Sequence, residues 1–342
     1  MTYRIDITTR DGARFDFGCD AGQDLLSAAA DADITLPSQC RRGSCGVCRA
    51  TVVDGPYESR DDGAGVRPPG PRERGEVLLC RTLPRGDLRI AAPYDRAKVL
   101  LHPVPVRTAR IATLEPIAAG TMRVELQVEP DDAFGSAVEF EPGQFAELEV
   151  PGSGRRRPYS LANTSNWDGR LEFVIRLRPD GGFSTYLGER ARPGDPLTVR
   201  VPMGGFGLFA DSLRPRWFVA GGTGLAPILS MLRRMAEFQE TVDARLFFGV
   251  NQENELFMLD ALAQLQADLP RLHVDLCVWR PGAAWAGYRG TPVDALRAAL
   301  AQTGALPDLY ACGPPPLVQG AREAAAAAGV PDAQFVSECF TG

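Results

Sequence analysis

Residues 37–48 read PSQCRRGSCGVC and place three cysteines within nine positions. The spacing is Cys40-x4-Cys45-x2-Cys48, and 31 residues then separate Cys48 from Cys80. Iron–sulfur clusters take four thiolates, and this run with one distant cysteine is the spacing of a plant-type [2Fe–2S] centre. Such a loop must curl until backbone N–H groups face the cluster sulfurs. Gly43 and Gly46, with the small Ser44 between them, permit that curl. Two other readings compete. Zinc cysteines usually arrive as two C-x2–4-C pairs, and a Cys45/Cys48 redox dithiol leaves Cys40 and Cys80 unexplained. Cys19, Cys277 and Cys339 have no partner spacing and read as ordinary thiols.

The rest of the chain limits what such a centre serves. Its 342 residues suggest two or three domains, with enough apolar content for a real core. The net charge of −6 argues against a nucleic-acid partner. Residues 1–98 hold 15 acids and 15 bases, so all the net negative charge lies beyond them. The only histidines are His102 and His273, too few for a Rieske centre or a histidine-based zinc hydrolase. No apolar run reaches the ~18 residues of a membrane span. The polar N-terminus, MTYRIDITTRDGARF, has no signal-peptide core. The expected location is the cytoplasm, where structural disulfides are not expected.

Three segments differ in grammar. Residues 1–98 begin with the alternating runs YRIDIT and ARFDFG around Asp11-Gly12, a β-hairpin signal. A short helix at DLLSAAADA, strands at CRATVVDG, near VLLCRT and at DLRIAAP, and a Pro/Gly-rich loop at 55–75 make a small α+β unit. Residues 99–210 are dominated by strands at short intervals, which predicts an antiparallel β-barrel interrupted by one helix at FSTYLGERA. Residues 211–342 alternate apolar strands (RWFVAGG, ARLFFGV, LHVDLCVW, PDLYACG) with helices, the pattern of a doubly wound parallel sheet. The last helix, AREAAAAAGV, has Gly329 as its C-terminal stop.

Chemistry-bearing motifs lie in the second and third segments. Arg157-Pro158-Tyr159-Ser160 precedes Gly181-Gly182-Phe183-Ser184-Thr185. Taken alone, the first is a strand with an aromatic on one face and the second a turn. Together they suit a flavin: an arginine for the pyrophosphate, a tyrosine against the isoalloxazine, a serine hydroxyl near its reactive nitrogen. The helix opened by Gly181 and Gly182, with Ser184 and Thr185, offers amides to the diphosphate. FVAGGTGLAPI at 218–228 runs from strand through glycines into helix but is not G-x-G-x-x-G. Gly221, Gly222, Thr223 and Gly224 let a nucleotide phosphate approach closely. YACGPPPLV ends the last expected strand, where doubly wound sheets bind ligands, and otherwise reads as a Pro-rich turn.

The order of these motifs resembles that of iron–sulfur flavoprotein reductases of bacterial oxygenase systems, within the ferredoxin–NADP reductase superfamily. The likeness spans essentially the whole chain and is nearest to the reductases of soluble methane monooxygenase and related di-iron alkane or alkene monooxygenases. FEPGQF, GRLEFVIR, WFVAGGTGLAP, FFGVNQENELFMLDAL and YACGPPP carry it. The resemblance implies a plant-type ferredoxin (β-grasp) domain at 1–98, an FAD-binding β-barrel at 99–210 and an NAD-binding α/β domain at 211–342. Cys40, Cys45, Cys48 and Cys80 would bind the cluster, and Arg157, Pro158, Tyr159 and Ser160 the flavin. Gly221–Gly224 and Cys312-Gly313-Pro314 would bind the nucleotide. Ser160, Cys312 and the C-terminal aromatic Phe340 would be the catalytic set. Two departures stand out: Gly182 where some relatives carry a charge, and the Arg/Pro-rich loop at 55–75.

The implied activity is an NADH-dependent reductase passing electrons through FAD and the [2Fe–2S] cluster to an oxygenase hydroxylase or its ferredoxin. Such a protein is expected to act as a monomer without membrane or nucleic acid. A reductase for a Rieske aromatic-ring dioxygenase and a redox sensor without turnover are the alternatives. After RLFFGV comes Asn251-Gln252-Glu253-Asn254-Glu255, where a doubly wound domain meets the adenosine ribose. Two acids and no base there predict a preference for NADH over NADPH. Arg41, Arg42, Arg49 and Arg81 flank the cluster cysteines and predict a basic docking rim.

Overall fold

The computed structural model describes residues 1–342 apart from 39–40, 42, 44–45, 61–74, 180, 210–211, 305 and 341–342. The chain divides into two compact units, Met1–Pro105 with Met203–Gly205, and Val106–Pro202 with Phe206–Phe340.

In the first unit, the predicted hairpin is β1 (Thr2–Thr8) and β2 (Arg14–Asp20), closed by a turn in which Gly12 takes a positive φ of 82°. The alternation turns Ile5, Ile7, Phe17 and Cys19 inward. Helix α1 (Leu25–Asp31) is capped by Asp24, whose carboxylate accepts the Ser27 N–H. It covers the sheet with Leu25, Leu26, Ala28 and Ala29. Then follow β3 (Arg49–Asp54), β4 (Tyr57–Ser59), β5 (Glu76–Leu78), β6 (Thr82–Pro84) and β7 (Leu88–Ala91). The main sheet has the order β2-β1-β7-β3-β5, and β4 pairs with β6 in a small second sheet. This is the expected α+β unit with one correction. The strand expected near VLLCRT stops at Leu78, and Leu79–Arg81 form a 3-10 turn that carries Cys80. The expected loop at 55–75 lies largely outside the described residues, and its first residues form β4.

The second unit contains both remaining sheets. Strands β8 (Val106–Ala118), β9 (Thr121–Val128), β10 (Phe145–Glu149), β11 (Arg156–Ser160), β12 (Arg170–Arg176) and β13 (Pro196–Met203) form a sheet of order β11-β10-β13-β8-β9-β12. A bridge between Leu161 and Phe173 joins its two ends, so the sheet closes as a barrel. Phe173, Leu148, Leu126 and Val199, all fully buried, fill it. The expected helix at FSTYLGERA is two short pieces, α2 (Gly182–Thr185) and a π-helical turn over Tyr186–Arg190.

Strands β14 (Arg216–Gly221), β15 (Ala244–Val250), β16 (Leu272–Val278), β17 (Tyr288–Arg289), β18 (Asp308–Gly313) and β19 (Phe335–Cys339) form a parallel sheet of order β17-β16-β15-β14-β18-β19. Helices α3 (Leu225–Glu237), α4 (Leu259–Asp268), α5 (Pro292–Gln302) and α6 (Pro315–Ala327) connect or flank them. Helix α5 starts with Pro292 behind a Thr291–Asp294 capping box. Gly329 ends the last helix with a φ of 81°, as its sequence predicts. Strand order reverses between β14 and β18, the place where such sheets take ligands. Two strands exceed the sequence reading, the short β17 and the C-terminal β19, and the second bears on function.

The two sheets of this unit are joined by polar contacts at the barrel's edge. Glu172 on β12 is buried and accepts from Arg123 of β9 at 3.1 Å and from Arg233 of α3 at 2.8 Å. Arg233 also donates to the carbonyl of Ala162 at 2.8 Å, and Ser230 to that of Asn163 at 2.6 Å. These contacts fix the chain just after β11, which carries Ser160, against helix α3.

Candidate cluster, flavin and nucleotide sites

Cys48 immediately precedes β3, and the 3-10 turn aims Cys80 at it. Their sulfurs are 3.3 Å apart and buried, well beyond the ~2.05 Å of a disulfide. The Leu79 N–H donates to the Cys48 carbonyl at 2.9 Å, so backbone pairing holds the two segments together. Gly43 and Gly46 have φ of 84° and 74°, as a tightly curled loop requires. A Cβ on Gly43 would stand 3.0 Å from the Arg81 side chain. Two converging thiols beside such a loop are a donor set that fits an iron–sulfur centre. Cys40 and Cys45 lie outside the described residues. The arginines expected to form a free basic rim are partly engaged. Arg49 pairs with Glu76 at 3.2 Å and Arg81 donates to the Arg60 carbonyl at 2.7 Å. Arg41 is exposed, and Arg42 is outside the described residues.

Strand β11 carries the flavin motif at one end of the sheet order, where Pro158 forfeits no interior ladder bond. Arg157 is exposed and Tyr159 half-buried, its ring 5.4 Å from that of Phe183. Burial pushes the Tyr159 phenol up to about 12, partly countered by Arg157 and Arg178. Both arginines therefore stand near the motif's aromatic. A third, Arg155, places a guanidinium nitrogen 3.6 Å from where a Cβ on Gly182 would lie. The charge missing at Gly182 thus has a neighbour in Arg155. Gly181 precedes α2 without a side-chain cap. Ser184 and Thr185 line a cleft of about 300 Å³ with Leu177, Arg178 and Pro179. A cleft with uncapped amides and arginines nearby fits a flavin diphosphate.

At the strand-order reversal the two nucleotide motifs interlock. A Cβ on Gly224 would come 2.2 Å from the Cys312 carbonyl oxygen, so only glycine permits this approach. Gly222–Gly224 form a 3-10 turn including Thr223 that leads into the 13-residue α3, which has no side-chain cap. Pro314 precedes α6 at the end of β18. Open helix amides beside closely packed backbone fit a dinucleotide phosphate.

The sequence motifs missed the residue that ties these sites together. Register across β18 and β19 pairs Cys312 with Glu338. Glu338 is 1% exposed, and its Oε2 accepts from the Ser160 hydroxyl at 2.7 Å and lies 3.9 Å from the Cys312 sulfur. Burial pushes its carboxyl up to about 7, although bonds from Ser160 and Cys312 pull the other way. Burial, then the Glu338 charge, drives the Cys312 thiol well above its ordinary range. Phe340 follows, its N–H donating to the Gly313 carbonyl at 2.9 Å, with its side chain partly buried against the core. Ser160 and Cys312 meet through Glu338; Phe340 joins by backbone. A lone acid inside the apolar run FVSECF was the available sequence signal.

The turn at 251–255 differs from its sequence reading. Glu255 is occupied, accepting from the N–H groups of Asn251 and Gln252 and from Arg176. Glu253 accepts the Gly282 N–H at 2.7 Å. A base does stand beside the turn: the Arg280 N–H donates to the Asn251 carbonyl at 2.9 Å, and its guanidinium sits 4.4 Å from the exposed Trp279 ring.

Three family models match in the order of the motifs. They are a 2Fe-2S iron-sulfur cluster binding domain over residues 8–85, an oxidoreductase FAD-binding domain over 108–207 and an oxidoreductase NAD-binding domain over 218–323. Methane monooxygenase component C of Methylosinus trichosporium is 38% identical over 87% of this chain and 87% of its own. The chain belongs to the reductase components of bacterial oxygenases. This reductase is also 38% identical to the ferredoxin–NAD(+) reductase component of the alkene monooxygenase system of Xanthobacter autotrophicus, over 88% of this chain and 90% of the relative. Among solved structures, the Amycolatopsis cytochrome P450 reductase GcoB superposes with a TM-score of 0.77 at 27% identity, covering 99% of each chain. The reductase is an oxidoreductase with [2Fe–2S], FAD and NAD binding domains, as its sequence predicts. No helix among its described residues is long and apolar enough to cross a membrane.

Proposed function

We propose that this reductase draws electrons from NADH and delivers them singly to the di-iron hydroxylase of a methane-, alkane- or alkene-type monooxygenase. The observation that carries the redox reading is the buried Ser160–Glu338–Cys312 contact, where the end of the flavin-type barrel meets the nucleotide-type sheet. When bound, a flavin turns the hydride of a two-electron donor into single electrons that a cluster can accept. The likeness to methane and alkene monooxygenase components supports the choice of a monooxygenase partner.

The protein's own contribution is orientation and proton placement. Glu338 accepts from Ser160 and so fixes the direction of its hydroxyl. With its carboxyl pushed up to about 7, Glu338 holds or releases a proton at physiological pH. Cys40, Cys45, Cys48 and Cys80 are assigned to the cluster. Arg157, Pro158, Tyr159, Ser160, Gly181, Gly182, Ser184 and Thr185 are assigned to FAD, with Arg155 and Arg178 added. Gly221, Gly222, Thr223, Gly224, Cys312, Gly313 and Pro314 are assigned to NADH, and Phe340 closes the catalytic set. The domain limits proposed are 1–98, 99–210 and 211–342. A monomeric, cytoplasmic protein completes the reading, checked by light scattering and cell fractionation.

The direct test mixes the purified reductase with candidate hydroxylases and follows NADH-coupled oxygenation. Coupling to a di-iron hydroxylase is expected, and coupling only to a Rieske dioxygenase would replace the reading. Ser160→Ala should slow flavin reduction by NADH roughly 10²-fold in stopped flow, while the cluster spectrum is unchanged. NADH should be preferred over NADPH. Comparable kcat/KM values would assign Arg280 to the 2′-phosphate instead.

A further inference from the structure

One buried polar group in the first unit has no part in the scheme above. Tyr94 follows β7 and packs against the core that contains Cys48. Its hydroxyl is buried and has no hydrogen-bond partner among the described residues. Native interiors seldom leave a hydroxyl in that condition, because burial without a partner costs stability.

Its position follows from strand register. Strands β3 and β7 pair antiparallel, with Thr51 opposite Ala91 and Val52 opposite Ile90. Cys48 immediately precedes β3 and Tyr94 lies three residues beyond the end of β7, so both stand at the same end of this antiparallel pair. Side-chain alternation agrees. Cys48, Ala50 and Val52 are buried on one strand, and Leu88, Ile90 and Ala92 on the other. Tyr94 packs on that same core at this end of the sheet.

We propose that the Tyr94 hydroxyl donates a hydrogen bond to a sulfide of the cluster that Cys48 would bind, and thereby raises the reduction potential of the [2Fe–2S] centre. A one-electron reduction adds negative charge to the sulfurs, so a donor aimed at them stabilises the reduced form more than the oxidised one. The absent partner of the hydroxyl is then the loaded centre itself. This inference rests on Cys48 being a cluster ligand. Cys48→Ser tests that reading by a different result, loss of the cluster rather than a shift in its potential.

The test is an EPR-monitored redox titration of the full-length protein carrying cluster and flavin. Tyr94→Phe should keep its cluster and flavin content while its reduction equilibrium constant falls up to tenfold, or about 59 mV for one electron. Pulsed EPR of the reduced parent should show an exchangeable-proton coupling that the variant lacks. An unchanged potential with the same proton couplings, and a raised Tm from losing an unsatisfied hydroxyl, would overturn the proposal. Should the Phe variant fail to assemble its cluster, difluorination of the Tyr94 ring retains the hydroxyl and strengthens it as a donor. The potential should then rise, and no shift would overturn the proposal equally.

Discussion

The proposed cluster site and the proposed hydride-transfer site are built in opposite ways. The first gathers Cys40, Cys45 and Cys48 from one loop and needs only Cys80 from elsewhere. The second joins Ser160 from β11, Cys312 from β18 and Glu338 from β19. Ser160 and Glu338 are separated by 178 positions, yet bond at 2.7 Å. A metal centre tolerates local construction because its ligands need only converge, and a short loop with positive-φ glycines such as Gly43 and Gly46 suits that demand. Hydride transfer between two cofactors would need residues from both sheets of the second unit, and this proposed site draws on both.

The comparison breaks most sharply at Cys48. Cys48→Ser should remove the cluster, seen as lost iron and lost visible absorbance, and abolish reduction of a one-electron protein acceptor. NADH-to-ferricyanide activity should survive, since the second unit has its own cores. Simultaneous loss of both activities with flavin retained would show that the two sites are not separate in function.

A smaller but still large effect is expected where the second unit joins its two sheets. Glu172→Gln leaves Arg123 and Arg233 without their buried carboxylate. Breaking such a network costs about 3 kcal/mol or more. The denaturant midpoint followed by flavin release should fall accordingly, whereas cluster bleaching should keep its own midpoint. A common shift of both would mean that the units unfold together.

Proton linkage offers a subtler contrast. The Glu338 carboxyl is raised from 4.5 to about 7 by burial. The folded state then binds the extra proton between those values, so this group's contribution to stability is fully present below about 4.5. It declines as pH rises toward 7 and is flat beyond. Glu338→Gln should remove that slope from the pH dependence of Tm for the second unit. A slope that persists would assign the linkage to another group.

The weakest expected effect concerns the rim of the cluster loop. Arg49 and Arg81 are held by Glu76 and the Arg60 carbonyl, which leaves the exposed Arg41 to act at longer range. Arg41→Glu should slow reduction of the oxygenase a few-fold at low ionic strength, with the difference fading as salt rises. Equal stopped-flow rates at all salt concentrations would remove Arg41 from docking.

What the sequence alone determined here is what short-range chemistry encodes. The cysteine spacing pointed to the 2Fe-2S domain that the family model matches, alternation with Asp11-Gly12 specified the hairpin, and the run at 218–228 located a strand-to-glycine-to-helix turn. Each depends on residues close enough along the chain for geometry to follow from spacing. Only the tertiary structure decided the rest. It ended β5 early and turned Cys80 toward Cys48, because the 3-10 geometry of Leu79–Arg81 is invisible in an apolar strand-like run. It tied up the acids at 251–255 with backbone amides and Arg176, and set Arg280 beside them. It also supplied β19, a strand too near the chain end to announce itself by pattern, and so brought Glu338 to Ser160 and Cys312. A carboxylate acquires its raised pKa only from the apolar surroundings and partners that folding assembles, and no stretch of sequence contains those surroundings.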